Sequence, residues 1–194
     1  MKKFDLLLTG VGGQGNILAS DIIGDVALAA GYDVKKTDTL GMAQRGGSVI
    51  SHLRLAEKVY SPLIQEGEVD ILLGFEKLET VRWANYLKPG AVAIVNNYAI
   101  PPLSVNQGLE HYPTDEEVRQ IIGQRTDKLY LVEGTAKALA LGNARTLNIL
   151  MLGCLAGFLP FETKAWQEGI AAHLPERLLK LNLTAFEMGR KEIR

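Results

Sequence analysis

Gly10-Val11-Gly12-Gly13-Gln14-Gly15 divides a short apolar run from a run with helical spacing, and that arrangement leaves few folds open. Phe4-Asp5-Leu6-Leu7-Leu8-Thr9 has the length and character of a strand buried on both faces of a parallel sheet. From Asn16 to Ala30, apolar residues recur at Leu18, Ile22, Val26 and Ala30, with Ile23 and Ala27 beside them. A spacing of four marks an amphipathic helix. Gly31 supplies its left-handed stop, and Val34 to Thr39 returns as a second strand. Strand, glycine turn, helix and strand open an α/β sheet.

The rest of the chain continues that alternation. Thr39 to Gly47 is polar and aperiodic, a loop. Ser48 to Leu55 alternates as a strand with one wetter face. Val69 to Phe75 is a buried strand, Lys77 to Leu87 a helix closed by Lys88-Pro89-Gly90, and Ala91 to Val95 a strand ending at Asn96-Asn97. Pro101 to Gln107 reads as irregular and exposed. Thr114 caps a helix that runs to about Gln124, with Asp115, Glu116 and Glu117 at its positive end. Leu129 to Val132 is a last strand. Helices follow over 133–141, 144–158, 162–172 and 175–189. The expectation is one domain over 1–194, a three-layer Rossmann-like, mostly parallel sheet with helices on both faces and a helical C-terminal third.

The glycine loop follows a strand and opens a helix, the context in which G-x-G-x-x-G holds a phosphate-bearing ligand. Glycine lets the backbone turn sharply and lets a ligand approach, and the first helical N–H groups attract an anion. Gly10, Gly12, Gly13, Gln14 and Gly15, with Asn16 as the first helical residue, are therefore candidate ligand contacts. Gln14 serves neither turn nor packing in this reading, so its amide is expected to face a ligand or partner. A bare packing role for the glycines stays open. Asp38, 23 residues beyond Gly15, stands where a dinucleotide fold keeps its ribose-binding acid. A stand-alone NAD(P)- or nucleotide-binding protein is thus an alternative, as is a regulatory nucleotide-binding module.

Gly41-Met42-Ala43-Gln44-Arg45-Gly46-Gly47-Ser48 is the second unusual stretch. It falls at the C-terminal edge of the sheet, where open α/β sheets bind ligands. Arg45 offers a planar donor fork for phosphate or carboxylate. Gly46 and Gly47 free its backbone, and Ser48 adds a hydroxyl. Elsewhere catalytic constellations are thin, and no residue is assigned a catalytic role. His52, His111 and His173 form no pair at metal-ligand spacing and no nucleophilic triad. Cys154 and Asn148 sit in the apolar run Leu147 to Leu159, a buried helix far short of the roughly 20 residues that span a bilayer.

Lys and Arg number 21 against 22 Asp and Glu, which argues against nucleic acid as a partner. One cysteine holds neither a disulfide, a four-cysteine zinc site nor an iron–sulfur cluster. No membrane segment or secretory leader is legible, so a cytoplasmic location is expected.

Read together, several stretches resemble the γ-type domain of the 2-oxoacid:ferredoxin oxidoreductases. They are Gly10 to Gly15, Gln44-Arg45-Gly46-Gly47, Ser61-Pro62, Val69 to Leu73, Lys88 to Asn96, Ala136, Leu141-Gly142-Asn143 and Asn148 to Gly153. The resemblance runs in order along nearly the whole chain, and its length is that of the small subunits in the indolepyruvate branch. It implies a subunit that is inactive alone. The family turns a 2-oxoacid, coenzyme A and oxidised ferredoxin into acyl-CoA, carbon dioxide and reduced ferredoxin. Thiamine diphosphate and iron–sulfur clusters belong to a large partner subunit, through which ferredoxin is reached. This chain then binds no cofactor by itself, helps bind CoA, and works in a hetero-oligomer. Asn96-Asn97 resembles the end of a thiamine-diphosphate motif but lacks its preceding Gly-Asp-Gly. An obligate subunit also exposes apolar surface; Trp166, Leu174 and Phe186 in the helical third are candidates for it, against a core role that isolated apolar residues more often have.

Overall fold

The computed structural model describes residues 1–41 and 46–193. Its strands are β1 (Phe4–Val11), β2 (Asp33–Leu40), β3 (Ser48–Ala56), β4 (Val69–Gly74), β5 (Leu87–Asn96) and β6 (Lys128–Val132). Its helices are α1 (Asn16–Ala29), α2 (Lys77–Arg82), the single turn α3 (Leu103–Asn106), α4 (Asp115–Gly123), α5 (Gly134–Ala140), α6 (Leu147–Ala156), α7 (Thr163–His173) and α8 (Glu176–Glu192).

The sheet order is β2-β3-β1-β4-β5-β6. β1, β4, β5 and β6 are parallel neighbours, while β3 runs antiparallel to both β1 and β2. A short connection joins β2 to β3, and only antiparallel strands can be joined that way. β3 therefore enters the sheet between β1 and β2. One expectation changes: β3 has no wet face, because Ile64, Trp83 and Tyr86 cover the side of Ile50 and His52 while Leu53 and Leu55 enter the core on the other.

Alternate residues of β1 feed two cores. Leu6 and Leu8 pack with α1, α6 and α8 residues such as Ile22, Leu150 and Phe186. Leu7 faces the other way, with Leu72, Ala93 and the Val118 and Ile122 pair of α4. The result is a sheet covered on both faces. α4 starts as expected, with a full capping box in which the Thr114 hydroxyl accepts from Glu117 N–H and the Glu117 carboxylate accepts from Thr114 N–H, worth about 1 kcal/mol over alanine at the cap. α6 and α8 cross with their backbones in contact, because Gly153 and Gly189 leave no side chain between them.

Three further expectations are decided. The helix after β4 stops at Arg82, and Leu87 already pairs with Val69 as the first residue of β5. Pro101 to Gln107 contains the turn α3. The third settles an alternative: Trp166 and Phe186 are wholly buried and Leu174 packs against the same core, so the core role holds for all three and none forms an exposed face. Large exposed apolar side chains lie elsewhere: Ile17 and Leu40 flank the glycine loop, and Tyr98, Leu103 and Leu109 follow the end of β5.

Candidate functional site

The glycine loop and the β2–β3 hairpin meet at the C-terminal edge of the sheet. Val11, the last residue of β1, stands opposite Ser48, the first of β3. Beyond that pair, Gly12 N–H donates to Gly47 O at 2.8 Å and Gly46 N–H donates to Gly12 O at 3.3 Å. Gly41 N–H donates to Ser48 O at 2.7 Å on the other side of the hairpin. Two stretches more than thirty residues apart in the chain thus form one mouth. Gln44 and Arg45, the remaining residues expected here, lie outside the described residues.

Inside this mouth is a cleft of about 350 Å³. Gly12, Gly13 and Gly15 form one side, and Val11, Ile17, Leu40 and Val49 supply apolar walls. Leu40 remains 60 % exposed and Ile17 38 %, so part of the wall faces solvent. α1 begins here with no side-chain cap and no acid in its first turn. Its first N–H groups therefore keep their partial positive charge for whatever enters. Asn16 is buried in the floor: its Nδ2 donates to Val49 O at 3.1 Å, and its Oδ1 has no partner among the described residues. That oxygen is closed off on the side of Gly10, away from any ligand in the cleft.

Gln14 departs from expectation. Its Oε1 accepts from Val11 N–H at 2.9 Å and its Nε2 donates to Phe75 O at 2.8 Å. The amide closes its own loop and ties it to the end of β4, so it is spent on structure. Gly15 is required twice over, with φ at 86° and Asn148 Nδ2 2.6 Å from where a Cβ would stand. Gly10 is a packing glycine: a Cβ there would meet Gln14, Asn16 and Phe75, all at 2.9 Å or less. The packing role thus holds for Gly10, while Gly12, Gly13 and Gly15 line the cleft.

Ser48 is also committed. Its hydroxyl donates to Glu79 Oε2 at 2.6 Å, and Glu79 Oε1 accepts from Arg82 Nη1 at 2.7 Å. Glu76, the cap of α2, accepts from Glu79 N–H and Ile100 N–H and from the Tyr112 hydroxyl. Burial, followed by the Glu76 carboxylate, pushes the Tyr112 phenol well above its usual ionisation range. Asn96 donates to Phe75 O and to Thr135 Oγ1, both at 2.9 Å, and accepts from Thr135 N–H. This amide knits β4, β5 and α5 together at the same edge. Glu76, Glu79 and Asn96 were not singled out from sequence as site residues. The available signal was a polar residue directly after a buried strand, at the edge where ligands bind.

Asp38 does not serve a nucleotide ribose. It lies on β2, opposite Ser51 of β3, which in turn lies opposite Leu8 of β1. Two strand spacings, about 10 Å, separate it from β1. Its carboxylate accepts from Ser51 Oγ at 2.5 Å and pairs with Lys36 at 3.0 Å. The histidines are apart from the cleft. His52 packs edge-on to Trp83 and Tyr86, His111 meets Glu117, and His173 meets Asp25. Cys154 is buried in α6, and burial pushes its thiol up to about 12. No helix among the described residues is long and apolar enough to cross a membrane.

The chain as a whole is similar to known proteins. Residues 5–192 match the family model described as pyruvate ferredoxin/flavodoxin oxidoreductase. Indolepyruvate oxidoreductase subunit IorB of Thermococcus kodakarensis is 38% identical over 195 residues, 98% of this chain and 96% of that protein. Among solved structures, pyruvate oxidoreductase subunit PORC from Thermotoga maritima superposes with a TM-score of 0.74 at 21% identity, over 100% of this chain and 98% of that one. The 2-oxoglutarate:ferredoxin oxidoreductase of Magnetococcus marinus, solved with 2-oxoglutarate, coenzyme A and succinyl-CoA bound, has a TM-score of 0.75 at 20% identity. That match covers 98% of this chain and 31% of the longer one.

Proposed function

Since the chain belongs to the pyruvate ferredoxin/flavodoxin oxidoreductase family and is a small subunit of a 2-oxoacid:ferredoxin oxidoreductase, we propose that it serves the oxidation of indolepyruvate and related arylpyruvates, with its glycine cleft receiving part of coenzyme A. The full-length likeness to an indolepyruvate subunit supports the substrate class. One observation carries the ligand: an uncapped helix N-terminus opens into a cleft with apolar walls. Coenzyme A carries phosphates for the first and a long arm with apolar segments for the second.

In this reading thiamine diphosphate and iron–sulfur clusters, held by a large partner subunit, supply the decarboxylation chemistry and take up the electrons. The cysteine of this chain does not fit a cluster. Its one thiol is buried and held protonated, the wrong state for an iron ligand. What the chain contributes is positioning. The N–H groups of α1 and the Arg45 guanidinium hold phosphate, while Ile17 and Leu40 cover the arm and keep water from it. Ferredoxin reaches the complex through the partner.

The test is steady-state kinetics with CoA varied, in the assembled complex. A charge-assisted hydrogen bond is worth about 1.5–3 kcal/mol, so Arg45→Ala raises the CoA requirement about 10- to 100-fold. Arg45→Lys recovers part of it, because lysine lacks the planar fork. Indolepyruvate and phenylpyruvate turn over faster than pyruvate or 2-oxoglutarate. An unchanged CoA dependence removes Arg45 from the site, and a preference for pyruvate overturns the substrate class.

A further inference from the structure

Glu79 is 4 % exposed, and nothing in the CoA reading uses it. A buried carboxylate is costly unless both oxygens are satisfied. Here each oxygen has one side-chain donor: Arg82 at 2.7 Å on Oε1 and the Ser48 hydroxyl at 2.6 Å on Oε2. Arg82 is itself anchored, since its Nη2 donates to Glu110 Oε2 at 3.1 Å and Ser104 donates to the same oxygen at 2.8 Å. The fixed end of this chain of bonds is therefore the α2 side, and the end it restrains is Ser48.

Ser48 directly follows Gly46-Gly47, the two residues that meet Gly12 across the cleft mouth. Those glycines have no side chains to hold them, and glycine loses more freedom on ordering than any other residue. Ser48 is held by its pairing with Val11 and by Gly41 N–H, and the Glu79 bond adds the one side-chain restraint on this end of the hairpin. We propose that Glu79 is a positioning residue for the cleft: through the Ser48 hydroxyl it sets how closely Gly46-Gly47 approaches the glycine loop, and so fixes where Gly12, a residue of the cleft wall, stands for coenzyme A. The inference rests on the CoA reading for its functional consequence, but its structural half stands independently of it.

Two variants and two readouts separate those halves. In Ser48→Ala, amide hydrogen exchange of Gly12 and Gly46 speeds up by about 10- to 100-fold, the factor expected for one charge-assisted hydrogen bond, and in Glu79→Gln, whose amide keeps a neutral bond to the hydroxyl, by less, while amides of β5 keep their protection. In the assembled enzyme KM for CoA rises in both variants, with kcat and KM for the oxoacid unchanged. The double variant is no worse than Ser48→Ala, because both act on the same bond. If Glu79→Gln fails to fold, Ser48→Ala alone decides. Unchanged exchange at Gly12 and Gly46 in folded Ser48→Ala overturns the proposal, even where KM for CoA moves, because Ser48 would then touch CoA itself. Faster exchange with an unmoved KM for CoA upholds the positioning role and removes CoA from the cleft.

Discussion

Gln14→Ala distinguishes a brace from a ligand contact. In the structure the side-chain amide makes two bonds, accepting from Val11 N–H at 2.9 Å and donating to Phe75 O at 2.8 Å. Removing it affects the two partners differently. Phe75 O keeps the Asn96 amide at 2.9 Å and stays satisfied. Val11 is 6 % exposed, and its N–H loses the side-chain acceptor it has here. An orphaned buried donor costs about 1–3 kcal/mol and a lost but replaceable bond about 0.5–1.5. Gln14 is half-buried, so water recovers some of this, and the expected net loss is about 2 kcal/mol. In a chain of this size that lowers Tm by about 4–8 °C. Gln14→Glu is expected to be no better, because it keeps the acceptor for Val11 but sets a carboxylate oxygen against Phe75 O. Thermal and urea denaturation followed by circular dichroism measure the loss, with CoA titration of the complex beside it. Wild-type stability in Gln14→Ala, together with weakened CoA binding, would refute the brace and restore the amide to the ligand.

Gly189→Ala sets a Cβ 1.9 Å from Leu150 O and 3.0 Å from Cys154 N, both backbone atoms, so α8 must move off α6; the gain of about 1 kcal/mol in helix propensity is outweighed and the urea midpoint falls, whereas Gly123→Ala, with open space at its Cβ, leaves it unchanged or raises it. An equal midpoint for Gly189→Ala and wild type would discard the close helix contact. His52 is buried between β3 and the Trp83–Tyr86 pair, and burial holds its ionisation below the ordinary value. The unfolded chain then binds a proton more readily, so His52 contributes stability that is complete above about pH 6.5 and is lost as pH falls from there toward the lowered folded value. Protonation of Nδ1 also removes the acceptor for Ile64 N–H. Urea midpoints for wild type and His52→Gln should converge between neutral and mildly acidic pH; parallel curves would count against a buried neutral imidazole.

The elements that sequence made legible are those decided by local period. β1, β4 and α6 carry dense apolar runs and α1 four-spaced apolar residues, and the Thr114 cap stands three residues before Glu117, so each was visible without its neighbours. What was not legible depends on a tertiary partner. Leu87 and Lys88 carry helix-compatible residues before a Pro-Gly pair, yet Leu87 is strand because Val69 lies beside it. Trp166 and Phe186 sit on amphipathic helices whose apolar stripe fits a partner subunit as well as a core; only the packing of α6, α7 and α8 on one another decides for the core. In the site, glycine spacing marked both walls of the cleft. The use of Gln14 and Ser48 stayed hidden, because their partners, Phe75 and Glu79, are 61 and 31 residues away.

The position of β3 links these outcomes. In a dinucleotide-binding sheet the second strand lies directly against the first, which brings its terminal acid to the glycine loop. Here an antiparallel strand takes that place. The insertion moves Asp38 a strand further out, where Lys36 and Ser51 absorb its charge. Because β3 runs antiparallel, the same insertion brings its start to the end of β1, and with it the glycines of the β2–β3 connection. One strand therefore removes the group that would grip a ribose and supplies the second wall of the cleft. G-x-G-x-x-G alone is compatible with both outcomes. The strand that follows the second β-element, and the direction in which it enters, decides between them.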